Sequence, residues 1–380
     1  MGSTSQTSAW KHQPALDGIR ALAIAQVLAL HGARSFLPGG FIGVDLFFVL
    51  SGFLITRVLL QDHAEHGKIR LGRFWARRAR RILPAVVVCL ALAFLLWGGI
   101  PDPKPTFWQA AVPSAFYFAN IQAMIDPSKL GSMIHAWSLS TEEQFYAFWP
   151  LVLAPLLLVK RSRAVVLLLG VLTVAAIARL VLRDHGSPLA TYYSPLARMD
   201  ELLIGCLLAL VPEAARLRAR PFYRAGAWLF LGALPLLWYY MFTELRVLYA
   251  GGFTLFALCA ATLVSVAVDP APSVLKRALS WRVFSAIGRR SYGLYLFHLP
   301  IFMWFERFRE ADNALNFVWV SALRIACTFA VAELSYRFVE RPILDYRRKR
   351  REVATQSASR TSVLPLSSRP TLNPPSNAAA

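Results

Sequence analysis

The chain has 380 residues, of which 56% are apolar and only 16% charged, well under the rough quarter found in soluble domains. Its mean hydropathy of +0.47 excludes a water-soluble fold, which would have nowhere to put that surface. The formal charge of +20 lies in short segments between apolar runs and in the tail, a pattern of membrane topology and anionic lipid headgroups, not of nucleic-acid binding.

Apolar stretches able to cross a hydrocarbon core of about 30 Å as helices recur from residue 15 to residue 340. Ten spans are predicted, at 15–34, 41–60, 83–100, 137–159, 164–182, 194–211, 225–242, 249–268, 283–304 and 316–338, giving an all-α polytopic bundle. The first run contains Arg20 and His31, which a signal peptide would not, so it reads as a retained span. Residues 72–84, GRFWARRARRILP, alternate aromatic and basic side chains before a proline, and read as a helix at the inner interface that ends where the third span opens. An eleventh apolar segment, 106–125, is interrupted by Pro113 and holds Asn120 and Gln122. If it stays on the outer face, the basic loops Arg57 to Arg81, Lys160 to Arg163, Arg216 to Arg224, Lys276 to Arg282 and the tail from Arg347 all face the cytoplasm, as the positive-inside bias requires. The division is then a cytoplasmic stretch 1–14, a membrane domain 15–346, and a basic, then Ser/Pro-rich disordered cytoplasmic tail 347–380. Cys89, Cys206, Cys259 and Cys327 lie singly in apolar segments, without the spacing of a disulfide framework or a metal site.

A charged side chain in mid-bilayer costs at least about 2.5–3.5 kcal/mol, so ionisable residues within spans are functional candidates. In the first span Asp17, Arg20 and His31 share one helix face, with Arg20 about 16 Å toward the cytoplasm from His31. Asp45, in the outer half of the second span, needs a partner there. It either orients the His31 imidazole or pairs structurally with an arginine. In the fourth span Ser138, Glu142 and Tyr146 form a polar stripe that Glu143 does not join, and Trp137 sits beside it. The ninth span aligns Ser291, Tyr295 and His298, with Arg289 and Arg290 at its inner end, and Pro300 disfavours regular helix at Leu299. The expected map has two layers: Arg20, Arg78, Arg81, Arg289 and Arg290 inside, to meet an anionic ligand, and His31, Asp45, Glu142 and His298 outside, for chemistry.

Five segments in this order, LDGIRALAIAQVLALH, GGFIGVDLFFVLSGFLIT, FWARRARRILP, WSLSTEEQFYAFWP and SYGLYLFHLP, resemble the acyltransferase-3 family of integral membrane O-acyltransferases over about residues 13 to 345. The resemblance implies a bacterial cytoplasmic (inner) membrane protein that takes an acyl group, usually acetyl, from cytoplasmic acyl-CoA. The acceptor it implies is a hydroxyl of an extracytoplasmic carbohydrate, with exopolysaccharide or lipid-linked oligosaccharide the leading candidates. It implies donor binding by Arg78 and Arg81, importance for Arg20 and His31, and a motif carboxylate at Glu142. No bound cofactor is expected, with acetyl-CoA serving as substrate. A member without a C-terminal SGNH domain would work with other polysaccharide-biosynthesis proteins as separate chains.

The expected mechanism places coenzyme A phosphates on the inner arginines and the thioester near His31. That histidine takes the proton of the acceptor hydroxyl with Glu142 or Asp45 in support, or itself carries the acyl group, and His298 is the substitute base. A transporter or flippase for a lipid-linked sugar is the rival reading, since polar residues within spans also line translocation paths.

Overall fold

A computed structural model describes residues 12–33, 37–100, 104–242, 245–310 and 314–343. Among these residues every regular element is a helix. Ten long helices account for the bundle: α1 Pro14–Gly32, α2 Ile42–His66, α3 Leu71–Leu96, α4 Ala136–Leu156, α5 Arg161–His185, α6 Pro195–Leu210, α7 Arg220–Tyr240, α8 Phe253–Val268, α9 Arg282–Phe305 and α10 Ala314–Ser335. Each overlaps one predicted span. By length and composition six segments could cross a membrane, those containing α1, α2, α3, α5, α8 and α10. Of the other four, α4 and α9 carry polar residues of the site described below, and α6 carries Arg198, Asp200 and Glu201 within 16 residues. The chain is an all-α polytopic protein, as its composition requires, because in hydrocarbon only helices and closed barrels satisfy every backbone group. The expected cytoplasmic stretch 1–14 lies almost entirely outside the described residues, and the tail 347–380 wholly so.

Two prolines do not break helices where the sequence suggests they should. The interfacial helix and the third span are one helix: α3 runs through Pro84. Likewise α9 continues past Pro300 to Phe305. A proline removes one intrahelical bond, and tertiary packing on both sides offsets that loss. Segment 106–125 forms no single crossing helix. The Thr106 backbone N–H donates to Gln109 Oε1 at 3.0 Å, capping the short helix Phe107–Ala115, Tyr117 turns the chain with φ 57°, and a second short helix, Ala119–Ile125, follows. Gly67, in the left-handed region at φ 68°, ends α2, and Arg70 then grips Asp62 through its backbone N–H at 2.8 Å and its Nε at 3.0 Å, pinning the turn into α3.

The tightest crossings are α1 on α9 and α2 on α6, and glycine makes each of them possible. A Cβ on Gly288 would lie 1.8 Å from the carbonyl oxygen of Asp17, and one on Gly205 2.1 Å from that of Val49. Without a side chain the backbones touch directly, which is how helices associate where lipid gives no hydrophobic drive. Large apolar side chains such as Leu95, Val166, Leu229 and Leu255 point outward around the bundle, the inverse of a soluble fold. Next to the α1–α9 crossing, Asp17 of α1, Arg78 of α3 and Gly288 of α9 line a common space.

Candidate active site

That space is a cavity of about 530 Å³. Arg20 and Asp17 enter it from α1, Arg78 and Arg81 from α3, Arg289 from α9, and Ser51 from α2, while α4 supplies Ser138, Glu142, Glu143 and Tyr146. The helix spacings explain the assembly: Arg78 and Arg81 are three residues apart and share a face, as do Ser138, Glu142 and Tyr146 at steps of four. Asp17 is buried and holds Arg20 at 2.8 Å and His12 at 2.7 Å. Arg290, in contrast, pairs with Glu333 on α10 and does not line the cavity.

The two glutamates of α4 divide the work differently from the expected stripe. Glu142 accepts the Tyr146 hydroxyl at 2.6 Å. Glu143, which the spacing left out, lines the cavity too and takes Arg78 in a forked pair at 2.8 and 3.2 Å, with the Arg78 guanidinium 3.3 Å above the Tyr146 ring. Arg78 of α3 thus meets both neighbouring faces of α4, Tyr146 by its ring and Glu143 by its carboxylate. Glu142 therefore belongs with the arginines, not with the histidines of the outer layer. Arg81 makes no ion pair within 4 Å among the described residues and lines the cavity, with Arg20, Arg78, Glu143 and Glu340 as charged neighbours.

At its other end the cavity stops at a hydrogen bond of 2.5 Å between Ser138 Oγ and Tyr295 Oη. Tyr295 is buried and also reaches the carbonyl oxygen of His135 at 3.1 Å. Beyond this bond lie three imidazoles. The ring of His298 is 5.0 Å from that of His31 and 5.1 Å from that of His135. His31, Asp45 and His298 are not among the cavity's lining residues. The cavity that holds Arg20 therefore does not itself reach His31.

Asp45 resolves the choice left open by the sequence. It pairs with Arg198 of α6, which also holds Glu201 at 2.8 Å and lies 3.9 Å over the Phe253 ring. Next to it Arg179 binds Asp200 at 2.8 Å, and Thr254 bridges the two at 2.6 Å to Arg179 and 2.5 Å to Asp200. All five charged residues are at most 1% exposed. Trp137 packs beside this network, 5.7 Å from the Arg198 guanidinium and 5.0 Å from Tyr192. This ion cluster ties α2, α5 and α6 together, and within it Asp45 is paired with Arg198. Sequence reasoning missed it, although three ionisable residues within RMDE of the sixth span were the visible signal. His135 was missed as well, standing at the very edge of the fourth span.

The family model for the acyltransferase-3 type, described as "Acyltransferase domain", matches residues 13–333. The chain is 35% identical over 360 residues to the YrhL protein of Bacillus subtilis, covering 89% of this chain and 56% of that protein. It is 35% identical over 353 residues to the peptidoglycan O-acetyltransferase OatA of Listeria monocytogenes (88% and 56%) and 31% identical over 354 residues to the O-acetyltransferase OatA of Staphylococcus aureus (88% and 57%). The chain thus spans little more than half the length of these relatives. No solved structure is significantly similar to it.

Proposed function

This chain belongs to the acyltransferase-3 family, and from that premise we propose that it is a membrane O-acetyltransferase acting on an extracytoplasmic carbohydrate. The donor is cytoplasmic acetyl-CoA. What carries the reading is the cavity: four arginines at one end, and the Ser138–Tyr295 bond beneath three histidines at the other. Coenzyme A is a polyanion on a long neutral arm. Its phosphates suit Arg81, Arg20 and Arg289, and its arm suits the apolar upper wall of Val44, Phe47 and Phe48.

For transfer the Ser138–Tyr295 bond opens and the thioester reaches the histidines. The acceptor oxygen forms a bond to the acyl carbon, its proton passes to His31, the C–S bond breaks, and that proton leaves on the thiolate as coenzyme A thiol. Asp17 holds Arg20 in place, and Glu142 with Tyr146 keeps the mid-cavity polar. The acceptor is a hydroxyl of an envelope glycan. The relatives named for peptidoglycan make the peptidoglycan strand a candidate beside exopolysaccharide and lipid-linked oligosaccharide.

The test is the O-acetyl content, by proton NMR, of separately purified peptidoglycan and soluble polysaccharide from cells with wild type, His31→Ala or Arg81→Ala at matched membrane levels. Loss of acetyl groups from one fraction, with polymer yield intact, supports the reading and identifies the acceptor. Unchanged acetylation in both variants overturns it, and loss of the polymer itself points to a flippase.

A further inference from the structure

The arginines of the connection from α6 to α7 are not alike. Arg220 and Arg224 share one carboxylate, that of Asp269, each at 3.0 Å. Arg216 lies just before them in the short helix Glu213–Arg218 and is only 9% exposed. It makes no ion pair among the described residues. Of its three side-chain nitrogens only Nε is sealed from the surface, and it has no acceptor there. Glu213, three residues earlier, is exposed and does not pair with it. Arginine cannot relieve burial by losing a proton, so a covered guanidinium without a counter-ion is costly and calls for an anion.

Its surroundings add positive charge. Arg57, half-buried toward the inner end of α2, has Arg216 and Arg161 as charged neighbours, and Glu213 as an acidic one. Arg161 opens α5, directly after Lys160. The same helix ends are held together by a buried apolar cluster that includes Leu59 of α2, Leu168 of α5 and Leu210 of α6.

Beside these charges the surface turns apolar. Leu158, three residues before Arg161, is 84% exposed, and Val166 and Leu167 on α5 also point outward. An inorganic phosphate would use the arginines alone. A ligand that uses both surfaces has an anionic head and a hydrocarbon tail.

We propose that Arg216, with Arg57 and Arg161 around it, binds the phosphate of an anionic phospholipid from the leaflet that the basic loops face. The terminal nitrogens of Arg216 donate to two phosphate oxygens as a fork, and the acyl chains lie along Val166 and Leu167. The lipid thereby ties the ends of α2 and α5 to the connection between α6 and α7. Phosphatidylglycerol suits the site better than phosphatidylcholine, whose ammonium group would meet three guanidiniums.

The deciding experiment is native mass spectrometry of the full chain in detergent, with either lipid added at equal concentration, for wild type, Arg216→Gln and Arg218→Gln. Arg218 carries the same charge on the same short helix but stands exposed, so it serves as the control. Wild type should retain one phosphatidylglycerol in preference to phosphatidylcholine. Arg216→Gln should bind it about 10-fold more weakly, and Arg218→Gln as wild type does. Equal retention of the two lipids by wild type overturns the proposal even if the variant does not fold. Equal losses in the two variants overturn it as well, since they would reduce the effect to diffuse surface charge. In a second arm, phosphatidylglycerol should raise the melting temperature of delipidated wild type but not of Arg216→Gln, and inorganic phosphate should raise neither. Equal stabilisation by inorganic phosphate would make this a free-anion site and overturn the lipid assignment.

Discussion

Glu143 grips the guanidinium of Arg78 through both carboxylate oxygens, so one of the two arginines of the RxxR segment already has its counter-ion. Arg81, three residues on, makes no close ion pair among the described residues, with Glu143 and Glu340 acting on it only from farther off, and it lines the cavity. The pair therefore acts unequally toward an anionic donor.

Removing Arg81 should weaken coenzyme A binding the more simply. A hydrogen bond to a charged group is worth about 1.5–3 kcal/mol, so Arg81→Ala should raise the dissociation constant about 10- to 100-fold. Calorimetric titration of coenzyme A into nanodisc-embedded protein measures it, and the deficit should shrink as salt rises.

Arg78 and Glu143 should couple. Arg78→Ala strands a carboxylate in the phosphate cavity, so Arg78→Ala with Glu143→Gln should bind coenzyme A more tightly than Arg78→Ala alone. The expected interaction energy is about 0.5–3 kcal/mol in a double-mutant cycle read by the same titration.

The ion cluster predicts stability effects without a catalytic one. Arg198→Ala leaves Asp45 and Glu201 buried without their cation, at a cost of about 3–5 kcal/mol, and should abolish a folded, monodisperse protein in detergent. Asp45→Asn should melt lower than wild type. Its acetyl transfer per folded molecule should stay within about threefold, since the lost contact is to Arg198 and not to His31.

Helix contact should be intolerant of a single methyl group at two places. Gly288→Ala and Gly205→Ala each press a Cβ into facing backbone that cannot rotate away, and should cost about 1–3 kcal/mol or more. Gly232→Ala, where nothing lies within 4 Å, is the control and should be neutral or slightly stabilising in a thermal melt.

Acid should act through Asp269, just beyond the end of α8. Its burial opposes ionisation, but the N–H of Ala271, the Tyr223 hydroxyl, and Arg220 and Arg224 outweigh that and hold its carboxyl below the usual range. A depressed carboxyl stabilises the fold above its unfolded-state pKa of about 3.9, and the gain disappears as pH falls through the lower folded value. The melting difference between wild type and Asp269→Asn should hold from about pH 8 to 5 and narrow below about pH 4.

The bundle was legible in the sequence because each span is a mostly apolar run of helical length, which needs no partner to be recognised. The arginine cavity was legible for a related reason: Arg78 with Arg81, and Ser138 with Glu142 and Tyr146, are each grouped by a single helix. What failed were relations between helices. Nothing within the α4 sequence says that Glu143, not Glu142, meets α3, and nothing within α2 says that Asp45 finds Arg198, 153 positions away. The prolines misled for the same reason, because the packing that carries a helix through Pro84 and Pro300 lies in other elements. His135 had only its own identity to announce it, one residue before a helix starts.

The Ser138–Tyr295 bond has an electrical side as well. A charge crossing a membrane is worth about 2.3 kcal/mol for every 100 mV, and an unbroken file of water from the arginines to the histidines would short-circuit that stored energy with protons. A buried hydroxyl–hydroxyl contact such as Ser138–Tyr295 would interrupt that file, and the field would then drop across the side chains there. On the proposed reading the coenzyme's phosphates stay with the arginines, and the acetyl group that passes this stretch is uncharged. On that reading the voltage across the membrane should neither drive the transfer nor resist it, and the cell would modify its exterior without discharging its interior.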